Sequence, residues 1–166
     1  MASPSATAPT SVPSPAASGI RYAHTNLTAG DWRRLMAFYV EVFGCEPVSS
    51  ERDNRGPHFD ALTGIVGGSV KGRHLRLPGH GERGPTLEIF QFDPQEPNRP
   101  AVLNRPGFAH LAFEVPDVDA KRAEILRWGG RDFGQLVTLD IPGAGRLTLI
   151  YMTDPEGNIV ELQRWH

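Results

Sequence analysis

The sequence predicts an α+β fold built from two tandem βαβββ modules. Three observations carry this. First, Tyr22-Ala23-His24 is spelled again as Phe108-Ala109-His110, 86 residues on, and at the same offset Asp31 falls on Asp117 and Gly44 on Gly130 without a gap. Self-similarity at one period is the mark of duplicated modules. Second, each copy of that strand–helix unit is followed by apolar residues in strand-like alternation. Third, Pro94, Pro97, Pro100 and Pro106 crowd the stretch between the copies. Prolines this dense exclude a helix or an interior strand, so residues 93–106 read as a linker between a module at 19–92 and a module at 107–166.

Taken in order, residues 20–27 read as a strand. Asp31 then opens a helix to Phe43, with Leu35, Phe38 and Val42 on one face, and Gly44 is placed to end it. A second strand is expected at 45–50, followed by a polar, Gly-rich stretch at 51–68 with a short helix near 58–62. Strands at 69–77 and 86–92 flank a turn rich in glycine. In the second module, 107–115 reads as a strand and Asp117 opens a helix to Trp128, which Gly129-Gly130 ends. A strand at 131–139 follows. A hairpin of 145–153 and 158–164 then forms around Asp154-Pro155-Glu156-Gly157, a favourable turn composition.

The 166 residues carry a net charge of −2 and 39% hydrophobic residues, enough for an ordinary core. No basic field is available to neutralise a row of phosphates, which argues against a nucleic-acid partner. No apolar run approaches the roughly 20 residues of a membrane span, so no membrane partner is expected. The single cysteine, Cys45, excludes an internal disulfide and suits a reducing, cytoplasmic setting; it is expected buried and inert. The first 18 residues are nearly all Ala, Ser, Pro and Thr, without charge or aromatic ring, and read as a disordered tail. Trp128 is expected in the core, and His58 and His80 in solvent.

Strand parity picks out the chemistry. Successive side chains alternate faces. Leu87 and Ile89 should face a helix, so Glu88 points the other way; Val160 and Leu162 do the same for Glu161. Leu111, Phe113 and Val115 place His110 on the opposite face, and Leu27 does so for His24. Two carboxylates on covered sheet faces are costly unless paired or bound to a cation. Two imidazoles and two carboxylates make an N₂O₂ donor set suited to one divalent metal: Zn, Ni, Co, Fe or Mn. His24, Glu88, His110 and Glu161 are the candidate ligands.

The motifs resemble those of the vicinal oxygen chelate superfamily, the glyoxalase, bleomycin resistance protein and dioxygenase family. The matching pieces are Ala23-His24-Thr25-Asn26-Leu27, the helix end Phe38-Tyr39-Val40-Glu41-Val42-Phe43-Gly44, Leu87-Glu88-Ile89, Phe108-Ala109-His110-Leu111-Ala112-Phe113, and Asp154-Pro155-Glu156-Gly157-Asn158-Ile159-Val160-Glu161-Leu162. The resemblance implies one domain over 19–166, in which the modules form a mostly antiparallel, cupped eight-stranded sheet with helices on the outside. It implies that the same four residues hold the metal, that a small molecule binds it through neighbouring oxygens, and that the protein is a homodimer, with sites in some members built from both chains.

The expected function is a metal-dependent lyase or isomerase of the glyoxalase or epimerase kind, with Glu161 or Glu88 as the base. Glyoxalase I carries an Arg where Thr28 stands and an Asn after its fourth-strand Glu, where this chain reads Glu88-Ile89-Phe90-Gln91-Phe92; both departures argue against glutathione. The epimerase branch has an acid on its third strand, and Lys71-Gly72-Arg73-His74-Leu75-Arg76-Leu77 has none. His74 is then the substitute base, and Arg76 the residue to hold an anionic substrate group. Two alternatives stay open: an extradiol-type dioxygenase using His24, His110 and Glu161, and a non-catalytic protein that sequesters a ligand on aromatic surface from Trp32, Phe90, Phe92, Phe108 and Trp165.

Overall fold

The structure, a computed structural model, describes residues 19–166; the tail read at 1–18 lies outside the described residues. The first module runs β1 (His24–Thr28), α1 (Trp32–Phe43), β2 (Glu46–Pro47), β3 (Arg52–Arg55), α2 (Pro57–Thr63), β4 (Ser69–Arg76) and β5 (Thr86–Asp93). The second runs β6 (His110–Glu114), α3 (Val118–Arg127), β7 (Arg131–Asp132), β8 (Val137–Ile141), β9 (Gly145–Thr153) and β10 (Ile159–Trp165). Each module is one sheet, ordered β1-β5-β4-β2 with β3 beside β4, and β6-β10-β9-β7 with β8 beside β9. Within each sheet the first pair is parallel, β1 with β5 and β6 with β10, and the remaining pairs are antiparallel.

The eight strands expected from the sequence are ten: in the first module β3 falls in the stretch 51–68 that reads as polar and Gly-rich, and in the second the strand expected at 131–139 is divided into β7 and β8. In the first module Ser49 lies between β2 and β3. Its carbonyl accepts from Arg73 Nε at 2.5 Å and its hydroxyl from the His74 amide at 3.4 Å, in place of a continuous ladder. In the second, the amides of Phe133 and Gly134 both donate to the Tyr151 carbonyl, at 3.0 and 3.1 Å. Two residues set against one is a bulge, and it bends the strand. The stretches expected at 45–50, 51–68 and 131–139 are corrected accordingly. The opening strands also start later than expected, at His24 and His110 rather than at 20 and 107.

Helix α1 forms where its caps predict. The Asp31 carboxylate accepts from the amides of Arg33 and Arg34, and Gly44 closes the helix in the left-handed region at φ 68°. Its buried stripe of Leu35, Phe38, Tyr39 and Val42 packs on Leu75, Leu87 and Ile89. Asp117 caps α3 in the same way. Gly130 is needed for close approach: a Cβ there would lie 2.3 Å from the Thr153 carbonyl. Trp128 is half exposed rather than in the core, because α3 ends one residue before it. Short helix α2 includes the exposed His58 and buries Phe59 against Phe92, ring centroids 6.2 Å apart.

The modules join through their helices and loops. Phe43 of α1 stacks on Phe113 of β6 at 4.0 Å between centroids. The Tyr39 hydroxyl donates to Asp154 Oδ2 at 3.0 Å. The Lys121 ammonium donates to the Val42 carbonyl at 2.5 Å. The Glu156 carboxylate accepts from the amides of Gly30 and Asp31, at 3.2 and 3.0 Å, and so sits at the positive end of α1. These contacts fix which way the two open sheet faces look.

Candidate metal centre in two half-sites

The open face of the first module gathers three chemically active side chains. His24 is the first residue of β1, opposite Thr86, and Glu88 lies two residues further along the neighbouring β5, opposite Asn26. The pattern Leu87-Glu88-Ile89 puts both apolar residues under α1 and turns the carboxylate outward. His24 Nε2 stands 3.3 Å from Glu88 Oε2. His74, directly across from Glu88 on β4, places Nε2 2.7 Å from the other oxygen, Oε1. Its Nδ1 faces the Thr86 hydroxyl at 3.0 Å. Burial holds the His74 imidazole below its usual pKa, against the opposing pull of Glu88.

The second module repeats this arrangement with one substitution. His110 opens β6, and Glu161 sits on the adjacent β10 between the buried Val160 and Leu162. His110 Nε2 stands 3.3 Å from Glu161 Oε2, the same separation as in the first module. Tyr151 occupies the cross-strand place that His74 holds in the first module. Its hydroxyl donates to Glu161, and that bond raises the phenol above its ordinary pKa. The His110 ring meets Tyr151 at 5.2 Å, edge to face. His110 Nδ1 is buried without a hydrogen-bond partner among the described residues.

This geometry fits a metal in halves. Zn–N and Zn–O bonds are about 2.0–2.2 Å, so two donors at about 100° on one ion stand roughly 3.2 Å apart. Both His–Glu pairs have that spacing. Each supplies only two donors, however, and among the described residues no three His, Cys, Asp or Glu side chains are grouped to hold an ion. His24 and His74 approach opposite oxygens of Glu88 rather than a common point. Among the described residues His24 and Glu88 are likewise not grouped with His110 and Glu161 as one donor set.

The other expected site residues are more scattered. Arg76 is ion-paired with Glu46 at 3.0 Å. Phe90 lines the first half-site, its ring 6.1 Å from that of His74. Trp32 is core, Phe92 packs on Phe59, and Phe108 and Trp165 are exposed at opposite ends of the second sheet. Cys45 is buried, and burial pushes its thiol up to about 12. Two residues escaped the sequence reading. Tyr151 looks like one more apolar residue after Leu147 and Leu149, and only the register reveals it. Arg52 lies opposite Gly72 on β3, where its charge opposes protonation of His74; it makes no salt bridge among the described residues. Asp154 is fully buried, holding the turn before β10.

Duplicated βαβββ modules, each presenting a His–Glu pair on a sheet face, define a protein with two equivalent His–Glu pairs. The sequence profile of the Glyoxalase/Bleomycin resistance protein/Dioxygenase superfamily matches residues 21–162, and the chain belongs to that superfamily. Among solved structures it resembles a glyoxalase family protein from Bacillus cereus, with 19% identity and TM-score 0.75 over 88% of this chain and 94% of the other. A glyoxalase family protein from Enterococcus faecalis shares 26% identity at TM-score 0.55, over 89% of this chain and 98% of its own. A genomically encoded fosfomycin resistance protein from Listeria monocytogenes, solved with Mn(II) and sulfate, shares 16% identity at TM-score 0.50, over 90% and 93%. No curated protein matches the chain.

Proposed function

We propose that this protein is a metal-dependent lyase or isomerase of the glyoxalase type, acting on a small carbonyl compound in a site shared by two copies of the chain. The observation that carries the reading is the pair of His–Glu sets at equivalent strand positions, each with Nε2 and Oε2 3.3 Å apart. His24 and Glu88 of one protomer would complete the donor set of His110 and Glu161 of its partner. A homodimer is the smallest assembly that does this. A divalent metal held by these four residues would supply Lewis-acid polarisation of a carbonyl oxygen.

The chain's own residues divide the remaining work. Both oxygens of Glu88 are engaged, Oε1 by His74 and Oε2 by His24 and, at 3.5 Å, by the Asn26 amide. Both ring nitrogens of His74 face partners. We therefore assign His74 to hold Glu88, and Glu161 to take the proton from the carbon beside the carbonyl and return it to the neighbouring atom. Tyr151 steadies Glu161 by donating to it. Fourfold donor sets distinguish this reading from a dioxygenase, in which Glu88 would have no role.

The test is bound metal per chain after reconstitution, measured by elemental mass spectrometry in the parent protein, in His110→Ala and in Glu161→Ala. About one ion per chain is expected in the parent, with loss from both variants. Absence of metal from the parent, or unchanged metal in both variants, sinks the proposal.

A further inference from the structure

We infer that the substrate is an organic acid with an apolar body, its charged end held by Arg52 and its body laid on the β8–β9 wall of the partner. This rests on the shared-site reading and goes further by naming the substrate class. The two half-sites carry opposite chemistry on the same face as their His–Glu pairs. In the second module, Glu161 is opposite Tyr151, Leu149 is opposite both Gln163 and Val137, and Leu147 is opposite both Trp165 and Leu139. Directly opposed residues share a face. The face that bears His110 and Glu161 therefore continues outward as Leu149, Val137, Leu139 and Trp165. Val137 and Leu139 remain 42% and 47% exposed, large aliphatic side chains left in water beside a polar centre.

In the first module the corresponding surface is cationic. Arg52 is opposite Gly72 and so shares the face of His74 and Glu88. Unlike Arg76, which Glu46 neutralises, it has no carboxylate within salt-bridge distance among the described residues. A guanidinium without a partner, beside a site, recognises a carboxylate or phosphonate oxygen. Gly72 keeps the strand low beneath it: a Cβ there would lie 2.0 Å from the Ile89 carbonyl, so no side chain stands between Arg52 and the cup floor. When the two half-sites face one another across a dimer, a ligand spanning them meets a cation on one wall and aliphatic surface on the other.

The probes are straight-chain carboxylates from butanoate to octanoate and the alcohols of equal length. Binding to the metal-loaded protein is followed by calorimetry, after metal content and sedimentation have been recorded. For the parent, affinity should rise about fourfold per methylene, with each acid about tenfold tighter than its alcohol. Val137→Thr/Leu139→Thr, which keeps strand-forming residues, should flatten the chain-length dependence while leaving butanoate unchanged. Arg52→Gln should weaken every acid about tenfold, with metal content and chain-length slope unaltered. Affinity independent of chain length, a slope unchanged in the double variant, or an Arg52→Gln protein that binds acids as the parent does would each overturn the inference. Dissociation of the dimer by the threonine variant, with no slope in the parent, would identify the wall as a subunit contact and overturn it as well. A parent that is monomeric or metal-free is recognised before any acid is added; it refutes the shared site, and this inference with it.

Discussion

The shared site makes a complementation experiment decisive. Take one double variant broken in the first half-site, His24→Ala/Glu88→Gln, and another broken in the second, His110→Ala/Glu161→Gln. Each homodimer alone has two sites with only two good donors, too few to retain an ion through desalting. In a mixed dimer of two-fold symmetry, one site combines both broken halves and the other combines both intact halves. Random pairing makes about half of all dimers mixed, each with one good site of two, so the mixture should recover about one quarter of the parent's metal. Mixed dimers isolated by two different affinity tags after co-expression should hold about half. The side chains removed lie on open sheet faces, away from the Leu35–Phe38–Val42 core, so folding is preserved. Elemental analysis reads the result. If metal stays at background in the isolated mixed dimers while the parent is loaded, each site lies within one chain and the argument from separated half-sites is wrong.

Four further outcomes follow from the packing. Asp154 is fully buried and accepts from the amides of Glu156 and Asn158, the Asn158 side chain and the Tyr39 hydroxyl. Asp154→Ala should cost about 3 kcal/mol in urea denaturation, and Tyr39→Phe about 1.5 kcal/mol. Burial outweighs those bonds and raises the Asp154 carboxyl above its unfolded value. The folded state thus binds this proton more tightly, and the stability it contributes is present at low pH and lost as pH rises through the folded pKa. The stability difference between the parent and Asp154→Asn should accordingly shift against the parent as pH increases from about 4 upward. Phe43→Ala removes the ring stacked on Phe113 and should cost about 3 kcal/mol in the same assay. Cys45 should ignore a water-soluble disulfide reagent in the native protein and react at once in denaturant, given its burial and its thiol pKa of about 12.

Much of the fold was legible because its signals are local. Asp31 and Asp117 announce helix starts through capping, and Gly44 announces an end, all within a few residues. Strands 69–76, 86–93, 145–153 and 159–165 fall within two residues of the alternation that predicts them. The extra strand of each module was not legible. The two depend on Ser49 meeting Arg73 and on Phe133 and Gly134 sharing the Tyr151 carbonyl, contacts between residues about 18 to 24 apart. The same division runs through the candidate site. Parity alone turns Glu88 and Glu161 away from the buried leucines beside them. It says nothing of Tyr151 or Arg52, whose places depend on which residue lies across the ladder. Nor does it give the relation between the two sheets, since no periodicity within a strand encodes the direction another sheet faces.

Beside the Phe43–Phe113 stack and the Lys121 bond to Val42, that relation is held by one short turn, Asp154-Pro155-Glu156-Gly157, immediately before the strand bearing Glu161. Its two acids reach into the other module in different ways. Asp154 takes the Tyr39 hydroxyl from the buried side of α1, and Glu156 takes the Gly30 and Asp31 amides from the helix's first turn. One turn thereby grips α1 at its start and its middle, about two helical turns apart along the axis. Two anchor points fix an orientation where one would fix only a position. Gly30 permits the grip, since a Cβ there would stand 3.3 Å from Glu156 Oε2. The eight residues from Asp154 to Glu161 therefore couple the core to the chemistry. Loosening either acid should leave each His–Glu pair at its own spacing while letting one module swing against the other. Glu156→Gln tests this directly: stability should fall by about 1 kcal/mol or less, yet metal affinity in the dimer should fall further than so small a loss accounts for. Equal loss in both would mean that the turn stabilises the fold without aligning the half-sites.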